Sequence, residues 1–334
     1  MRAVVVDEFG GPEVLVAREV PDPVAGPGQV VVDVAAANVM FLDTLVRRGW
    51  GTDFFDVAPP YVPGSGVVGR VAAVGAGVEA SWVGTTVMAD TGTSDPETGL
   101  TLAPTGGYAE KAVVGADALI RIPEGVDARA ALAVLHDGPT ALRLAEAARI
   151  ERGAWVLVAA ATGGAGSLVV QLARAAGARV VGAARGAAKL ALARELGALE
   201  AVDYSEPGWV AAAVALTGGG AAVVLDGAGG SLGAAAFGAV ADGGRFVSYG
   251  SSDGEFTEVP EGEAERRGVS VTGLFDLPPL SPADRRAVTS RALDLVAEGT
   301  IRPHVGAVVP LERAAEAHAG LEERTVLGKS LLTV

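Results

Sequence analysis

The segment that most constrains this chain is WVLVAAATGGAGSLVVQLARAAGA, residues 155–178. The apolar run predicts a buried strand over 155–160, a glycine-rich turn at 163–166 and a helix to about residue 176. A second strand follows over 179–183. A strand that turns through glycines into a helix lets backbone N–H groups approach a phosphate, whose charge sits at the positive end of the helix dipole. The spacing is G-x-G-x-x-G with Ala161 in the first position, then Gly163 and Gly166. A turn of this kind in a strand–turn–helix–strand context is a candidate dinucleotide site.

The alternation continues downstream. Helices are expected at 187–196, 209–216 and 232–239, and strands at 201–204, 221–225, 244–249 and 269–272. Near-continuous apolar strands joined by helical crossovers predict an α/β fold with a doubly wound parallel sheet covered on both faces. Residues 1 to about 122 read differently, as short strands (2–6, 29–35, 66–74, 109–114) between Gly/Pro turns. A long helix at 282–298 and a strand at 330–334 close the chain. That last strand is expected to return to the N-terminal β region, which is too open in pattern to close alone. Two polar stretches, 91–105 and the acidic 255–265, read as loops.

With 334 residues, half of them hydrophobic, the chain has enough core for two domains. A net charge of −14 argues against nucleic acid or an anionic membrane as partner. No apolar run has the length of a membrane span, and residues 1–6 read as a strand and not a signal peptide. The absence of cysteine removes disulfides, thiol nucleophiles and Cys-ligated zinc. The three histidines, His136, His304 and His318, are too scattered for a His cluster. A cytoplasmic protein is expected.

The end of the second strand selects the cofactor. An NAD site places Asp or Glu there to accept from the ribose 2′-hydroxyl. This chain has Ala183, Ala184, Arg185 and Gly186 instead, with Lys189, one of only three lysines, a helical turn on. Two cations at a helix start are disfavoured by the dipole unless an anion joins them, which points to the 2′-phosphate of NADPH.

Together FGGPEVL (9–15), FLDTLVRRG (41–49), PGSGVVGRVAAVG (63–75), GGYAEKAVV (106–114), the glycine-rich segment and RTVLGKSLL (324–332) resemble the zinc-independent medium-chain dehydrogenase/reductases. The likeness is to their NADPH:quinone oxidoreductase, or zeta-crystallin-like, group, and it spans essentially the whole chain. It implies a β-rich GroES-like catalytic domain (1–122 and 276–334) and a Rossmann NADPH-binding domain (123–275), with the cofactor in the cleft between them. It implies a homodimer formed through the edge strand at 269–272. Carried over, Gly163, Gly164, Ala165 and Gly166 would meet the pyrophosphate, and Arg185, Lys189 and Tyr204 the 2′-phosphate. Arg324 would reach the cofactor from the C-terminal segment. Tyr249, Gly250, Ser251, Ser252, Leu274, Phe275 and Asp276 would line the nicotinamide half, faced by Phe41, Leu42, Asp43 and Thr140.

The departures carry information. Zinc-dependent relatives have Cys where this chain has Met40 and His where it has Ser65, so the resemblance implies no catalytic metal. Many quinone reductases have Asn at the Met40 position; here Asn38 lies two residues earlier. The chemistry then rests on the cofactor: hydride transfer to a quinone or an α,β-unsaturated carbonyl, with hydrogen-bond donors for the developing oxyanion. Pocket candidates are Asn38, Met40, Asp43, Tyr61 and Tyr108, with Trp50, Phe54, Phe55 and Phe275 as stacking surfaces. His136 reads either as a proton donor or as a structural histidine. The alternatives are an enoyl-thioester reductase and a non-enzymatic NADPH-binding redox sensor.

Overall fold

The computed structural model describes residues 1–94 and 101–334. The chain divides into two compact units, Met1–His136 with Pro279–Ala297 and His304–Val334, and Asp137–Pro278 with Glu298–Pro303.

The first unit is built on a seven-stranded sheet. Its order runs Val305–Pro310, Lys329–Thr333, Gln29–Val39, Gly66–Val74, Thr86–Asp90, Ile120–Arg121, with Lys111–Gly115 also paired to Gln29–Val39. The C-terminal strand does return: Leu331 pairs with Asn38 and Leu332 with Ala37. Valines dominate the core, including Val4, Val30, Val32, Val67 and Val87, joined by Tyr108, Leu311 and Leu332. β-branched side chains suit this pleated, buried surface. Gly69 is required by close approach, since a Cβ there would lie 2.0 Å from the Asp33 carbonyl oxygen of the neighbouring strand. An N-terminal hairpin, Arg2–Val6 with Leu15–Glu19, packs with this core, as does the helix Ala314–Glu322.

The second unit holds six strands, every neighbouring pair parallel. Their order is Glu200–Asp203, Arg179–Ala184, Trp155–Ala159, Ala221–Asp226, Val240–Ser248, Ser270–Gly273. The central strands are buried on both faces: Val156, Leu157 and Val158 expose nothing. The strand order reverses between Trp155–Ala159 and Ala221–Asp226, and in such a sheet ligands bind at the carboxyl ends beside the reversal.

Two loop expectations change. Of the stretch 91–105, residues 95–100 lie outside the described residues, and its flanks pair as short strands, Thr93–Ser94 with Thr101–Ala103. The acidic stretch 255–265 ends in a helix, Glu263–Arg267, bounded by left-handed Gly262 and Gly268. Its acids lead and its arginines follow, which matches the dipole. The motif FLDTLVRRG forms a helix, Phe41–Arg47, which follows the strand Gln29–Val39 directly after Met40. Among the described residues no helix is long and apolar enough to cross a membrane.

Candidate functional site

At the strand-order reversal the backbone is bare. Ala160 takes a left-handed φ of 55°, unusual for a residue with a Cβ, and its carbonyl accepts the Gly163 N–H at 2.9 Å. Gly163 then starts the helix Gly164–Ala175 with no side chain capping its first turn. A Cβ on Gly166 would stand 2.3 Å from the Ala160 oxygen and 3.2 Å from Tyr249 Oη, and one on Gly164 2.1 Å from Asp137 Oδ2. Gly163 is roomier, its nearest neighbour 3.4 Å away.

Tyr249 is wedged beneath this turn. Its Oη is 2.6 Å from where a Gly227 Cβ would be, and it is buried without a hydrogen-bond partner among the described residues. Burial, then the nearby Asp226 and Asp137 carboxylates, push its ionisation well up, so it stays a neutral donor. The loop after Tyr249 is tied to the same crevice. Ser252 Oγ lies 3.3 Å from the Gly227 carbonyl oxygen and 3.2 Å from that of Ala228, and Gly250 is packed so closely that a Cβ would be 2.2 Å from Gly227 O. A glycine cradle, an uncapped helix start and an orphaned buried hydroxyl together fit the pyrophosphate of a dinucleotide.

Around the start of the next helix, Gly186–Glu195, Arg185 is exposed at the N-cap and Lys189 is half-buried one turn on. Tyr204 is not at the surface: its ring is buried edge-on against Trp209, centroids 6.4 Å apart. Sequence reasoning missed Asp203. This carboxylate accepts the Gly186 N–H at 2.8 Å and the Ser205 N–H at 2.9 Å. Desolvation pushes its pKa up, but Ser205, the Gly186 N–H and the nearby Arg185 outweigh it and hold Asp203 below the ordinary range. An acid therefore does reach the end of the second strand, contributed by the third. The only signal in the sequence is that Asp203 closes the next strand. In the same unit Thr140 is half-buried on the helix Asp137–Ala148, and Ser251 and Leu274 are half-buried. Asp276 accepts the Gly273 N–H at 2.6 Å, while Phe275 is 80% exposed against Phe256.

In the first unit Met40, Phe41 and Leu42 are half-buried at the start of their helix. Asp43, one turn in, is buried and accepts the Met40 N–H at 2.8 Å. Tyr108, expected in a pocket, is instead fully buried in the core: its Oη lies 3.0 Å from Asp43 Oδ2 and 3.0 Å from His318 Nε2. Arg47, also without exposure, reaches His318 Nδ1 at 3.2 Å, Glu322 Oε1 at 2.5 Å and the Gly10 carbonyl at 3.0 Å. Burial lifts the Asp43 carboxyl to about 6, against the opposing Met40 N–H and Tyr108 hydroxyl. Burial and then Arg47 push His318 down to about 3, so it is neutral. Asp43 Oδ1 and the Tyr61 hydroxyl are buried without partners among the described residues. Trp50 and Phe54 are open to solvent, their rings 6.4 Å apart, with Phe55 6.2 Å from Trp50. Arg324 sits just past the helix Ala314–Glu322 in a left-handed conformation, φ 59°.

A second polar set lies in this unit. Asn38 is fully buried, its side-chain nitrogen 3.2 Å from His136 Nδ1, and His136 Nε2 is 3.3 Å from Asp90 Oδ2. Among the described residues no group of three or more His, Cys, Asp or Glu could hold a metal ion.

Comparison with known proteins gives consistent matches along the chain. The family described as alcohol dehydrogenase GroES-like domain matches residues 26–124, and the one described as zinc-binding dehydrogenase matches residues 164–293. A quinone oxidoreductase of Pseudomonas aeruginosa is 31% identical over 97% of both chains. A 2-haloacrylate reductase of a Burkholderia species is 30% identical over 99% of this chain and 98% of its own. Among solved structures, one described as an NAD-dependent alcohol dehydrogenase is 34% identical with TM-score 0.88 over the whole of both chains. The Escherichia coli quinone oxidoreductase complexed with NADPH is 27% identical with TM-score 0.86, again over the whole of both.

Proposed function

The chain belongs to the medium-chain dehydrogenase/reductases, in their quinone oxidoreductase group, and from that premise we propose that it is an NADPH-dependent oxidoreductase acting on a small quinone or α,β-unsaturated carbonyl. The observation that carries the reading is the bare turn at Gly163–Gly166 with Tyr249 wedged beneath it at the strand-order reversal. NADPH, when bound, supplies the hydride.

The chain's own residues supply position. The first N–H groups of the helix Gly164–Ala175 would hold the pyrophosphate, with Gly164 and Ala165 nearest and Gly163 and Gly166 keeping the approach clear. Arg185 and Lys189 would take the 2′-phosphate. Tyr204 would back this corner, and Arg324 would join from the C-terminal segment. Phe41, Leu42, Asp43, Thr140, Tyr249, Gly250, Ser251, Ser252, Leu274, Phe275 and Asp276 would border the nicotinamide half. Trp50, Phe54 and Phe55 offer flat apolar faces suited to a planar acceptor. Met40 and Ser65 are poor metal ligands, so the acceptor's developing charge must be met by hydrogen-bond donors and protons.

The working form we propose is a cytoplasmic homodimer joined through Ser270–Gly273. That strand is an edge of its sheet and exposes Val271, a surface that proteins pair or cover.

The test is direct. The purified protein is titrated with NADPH and NADH, then assayed against quinones, enones and enoyl-CoA esters. NADPH-selective turnover of quinones or simple enones is expected. Tight NADPH binding with reduction of enoyl-CoA alone would move the substrate to a thioester, and binding with no turnover at all would overturn the enzymatic reading.

A further inference from the structure

We infer that Asp137 is a resident anion of the dinucleotide turn, one that the cofactor's pyrophosphate must displace, and so a residue that sets how tightly any dinucleotide is held. The inference rests on the dinucleotide reading above and adds to it a group that works against binding.

Both sides of the contact belong to one unit, the one that holds Asp137–Pro278. Asp137 opens the helix Asp137–Ala148, and Gly164 opens the helix Gly164–Ala175. The carboxylate of the first leans onto the start of the second. A Cβ on Gly164 would stand 2.1 Å from Asp137 Oδ2, 2.6 Å from its Cγ and 2.9 Å from its Oδ1, and these are the three nearest atoms. Gly166 differs, because its Cβ would strike the backbone carbonyl of Ala160 at 2.3 Å. At Gly166 the missing side chain admits the chain itself; at Gly164 it admits a carboxylate.

The position suits a negative charge. The first N–H groups of a helix have no partner within it and carry the positive end of its dipole. Gly163 brings no side chain to cap them, and Asp137 rests where two such helix starts meet. Its charge is felt beneath the turn as well. After burial and Asp226, Asp137 is the next cause that pushes up the ionisation of Tyr249, whose hydroxyl is buried without a partner among the described residues.

A pyrophosphate brings the same sign of charge to the same helix start. The carboxylate must then swing away and give up its favourable place, or stay and repel the phosphates. Either way it opposes binding. The opposition is blind to the 2′-phosphate, because NADPH and NADH share the pyrophosphate. It is therefore separate from the choice between them at Arg185 and Lys189. It also hastens departure: where encounter rates change little, weaker binding appears as faster release.

The experiment compares wild type with Asp137→Asn and Asp137→Ser by calorimetry with NADPH, NADH, ADP-ribose and 2′-AMP at one ionic strength. Both replacements remove the charge and keep a polar group for the start of the helix Asp137–Ala148. In both variants the three ligands that carry a pyrophosphate are expected to bind about three- to tenfold tighter, and 2′-AMP, which has none, as in wild type. Release of NADP+ followed by stopped flow should slow by a similar factor. Without cofactor the variants should melt at a lower temperature, since a helix start loses its anion. Affinity that rises while stability falls is a pairing that a merely structural residue does not give. Weaker binding of the three pyrophosphate ligands would make the carboxylate an acceptor for the cofactor and overturn the inference. Unchanged affinity in both variants would overturn it too, as would 2′-AMP tightening by the same factor. Wild type that binds neither NADPH nor ADP-ribose overturns the dinucleotide reading itself.

Discussion

Tyr108 Oη lies 3.0 Å from Asp43 Oδ2, a residue 65 positions earlier, and the direction of that hydrogen bond is imposed from the far end of the chain. Arginine can only donate, so the Arg47 contact makes His318 Nδ1 an acceptor and leaves the hydrogen on Nε2. That hydrogen points at Tyr108, whose own hydroxyl hydrogen must then go to Asp43. The buried set is one oriented line of donors, from Arg47 through His318 and Tyr108 to Asp43.

His318 makes the protein acid-sensitive. Its folded pKa, about 3, lies below its ordinary 6.5. It therefore contributes stability that is fully present above 6.5 and is lost as pH falls toward 3. His318→Gln can accept from Arg47 and donate to Tyr108 without ever taking a proton. By circular dichroism its acid-unfolding midpoint is expected to shift to lower pH. An unchanged midpoint would mean the histidine is not held neutral.

Asp43 works with the opposite sign. Its folded pKa is raised from 3.8 to about 6, so the stability it gives is complete below 3.8 and is lost as pH rises through 6. The loss is on the order of 3 kcal/mol at about 1.4 kcal/mol per unit. Asp43→Asn keeps an oxygen for Met40 and Tyr108 and removes the titration. Urea midpoints measured from pH 4 to 7 should fall less steeply in the variant than in wild type. Parallel curves would refute the assignment.

Gly166→Ala is expected to abolish NADPH binding, because its Cβ would meet the Ala160 carbonyl at 2.3 Å and force the turn open. Gly163→Ala has 3.4 Å of room and an ordinary φ, and should bind within a few-fold of wild type. Fluorescence titration of the two variants separates close packing from a general need for glycine.

Arg185→Ala with Lys189→Ala should weaken NADPH by about 1.5–3 kcal/mol for each charge-assisted hydrogen bond removed, and leave NADH nearly untouched. Asp203→Asn should do the reverse, tightening NADPH, since it removes a negative charge beside Arg185. Calorimetry with both cofactors checks each sign. Equal weakening of NADPH and NADH would place the 2′-phosphate elsewhere.

The Rossmann unit was legible because its signals are local: apolar strands, glycine turns and helical spacing lie in consecutive residues. Even there, Val240–Ser248 starts four residues before the strand expected from 244, because the Gly243–Gly244 pair reads as a turn while the strand passes through it beside a register shift at Ala221/Val223. The polar residues of the first unit were harder to place. Tyr108 sits in GGYAEK with nothing nearby to say that its partners are Asp43 and His318. Asp203 was missed for the same reason, since it serves the end of a strand that is not its own. Side chains that act across sheet neighbours leave no periodicity for a sequence to show.

The pairing of Lys329–Thr333 with Gln29–Val39 orders events in time as well as in space. During synthesis the sheet of the first unit waits for Lys329–Thr333, and residues 36–39 of Gln29–Val39 lack that neighbour until then, although Lys111–Gly115 can already pair with residues 29–33. The other unit draws on Asp137–Pro278 and the short return Glu298–Pro303, and so is synthesised before Val305–Pro310 and Lys329–Thr333, two strands of the first unit's sheet. A nascent chain stalled with residue 303 just clear of the exit tunnel should already carry a protease-resistant body that binds dinucleotide, while its first 130 residues are still cut freely. Cofactor binding would thus precede completion of the domain that uses it.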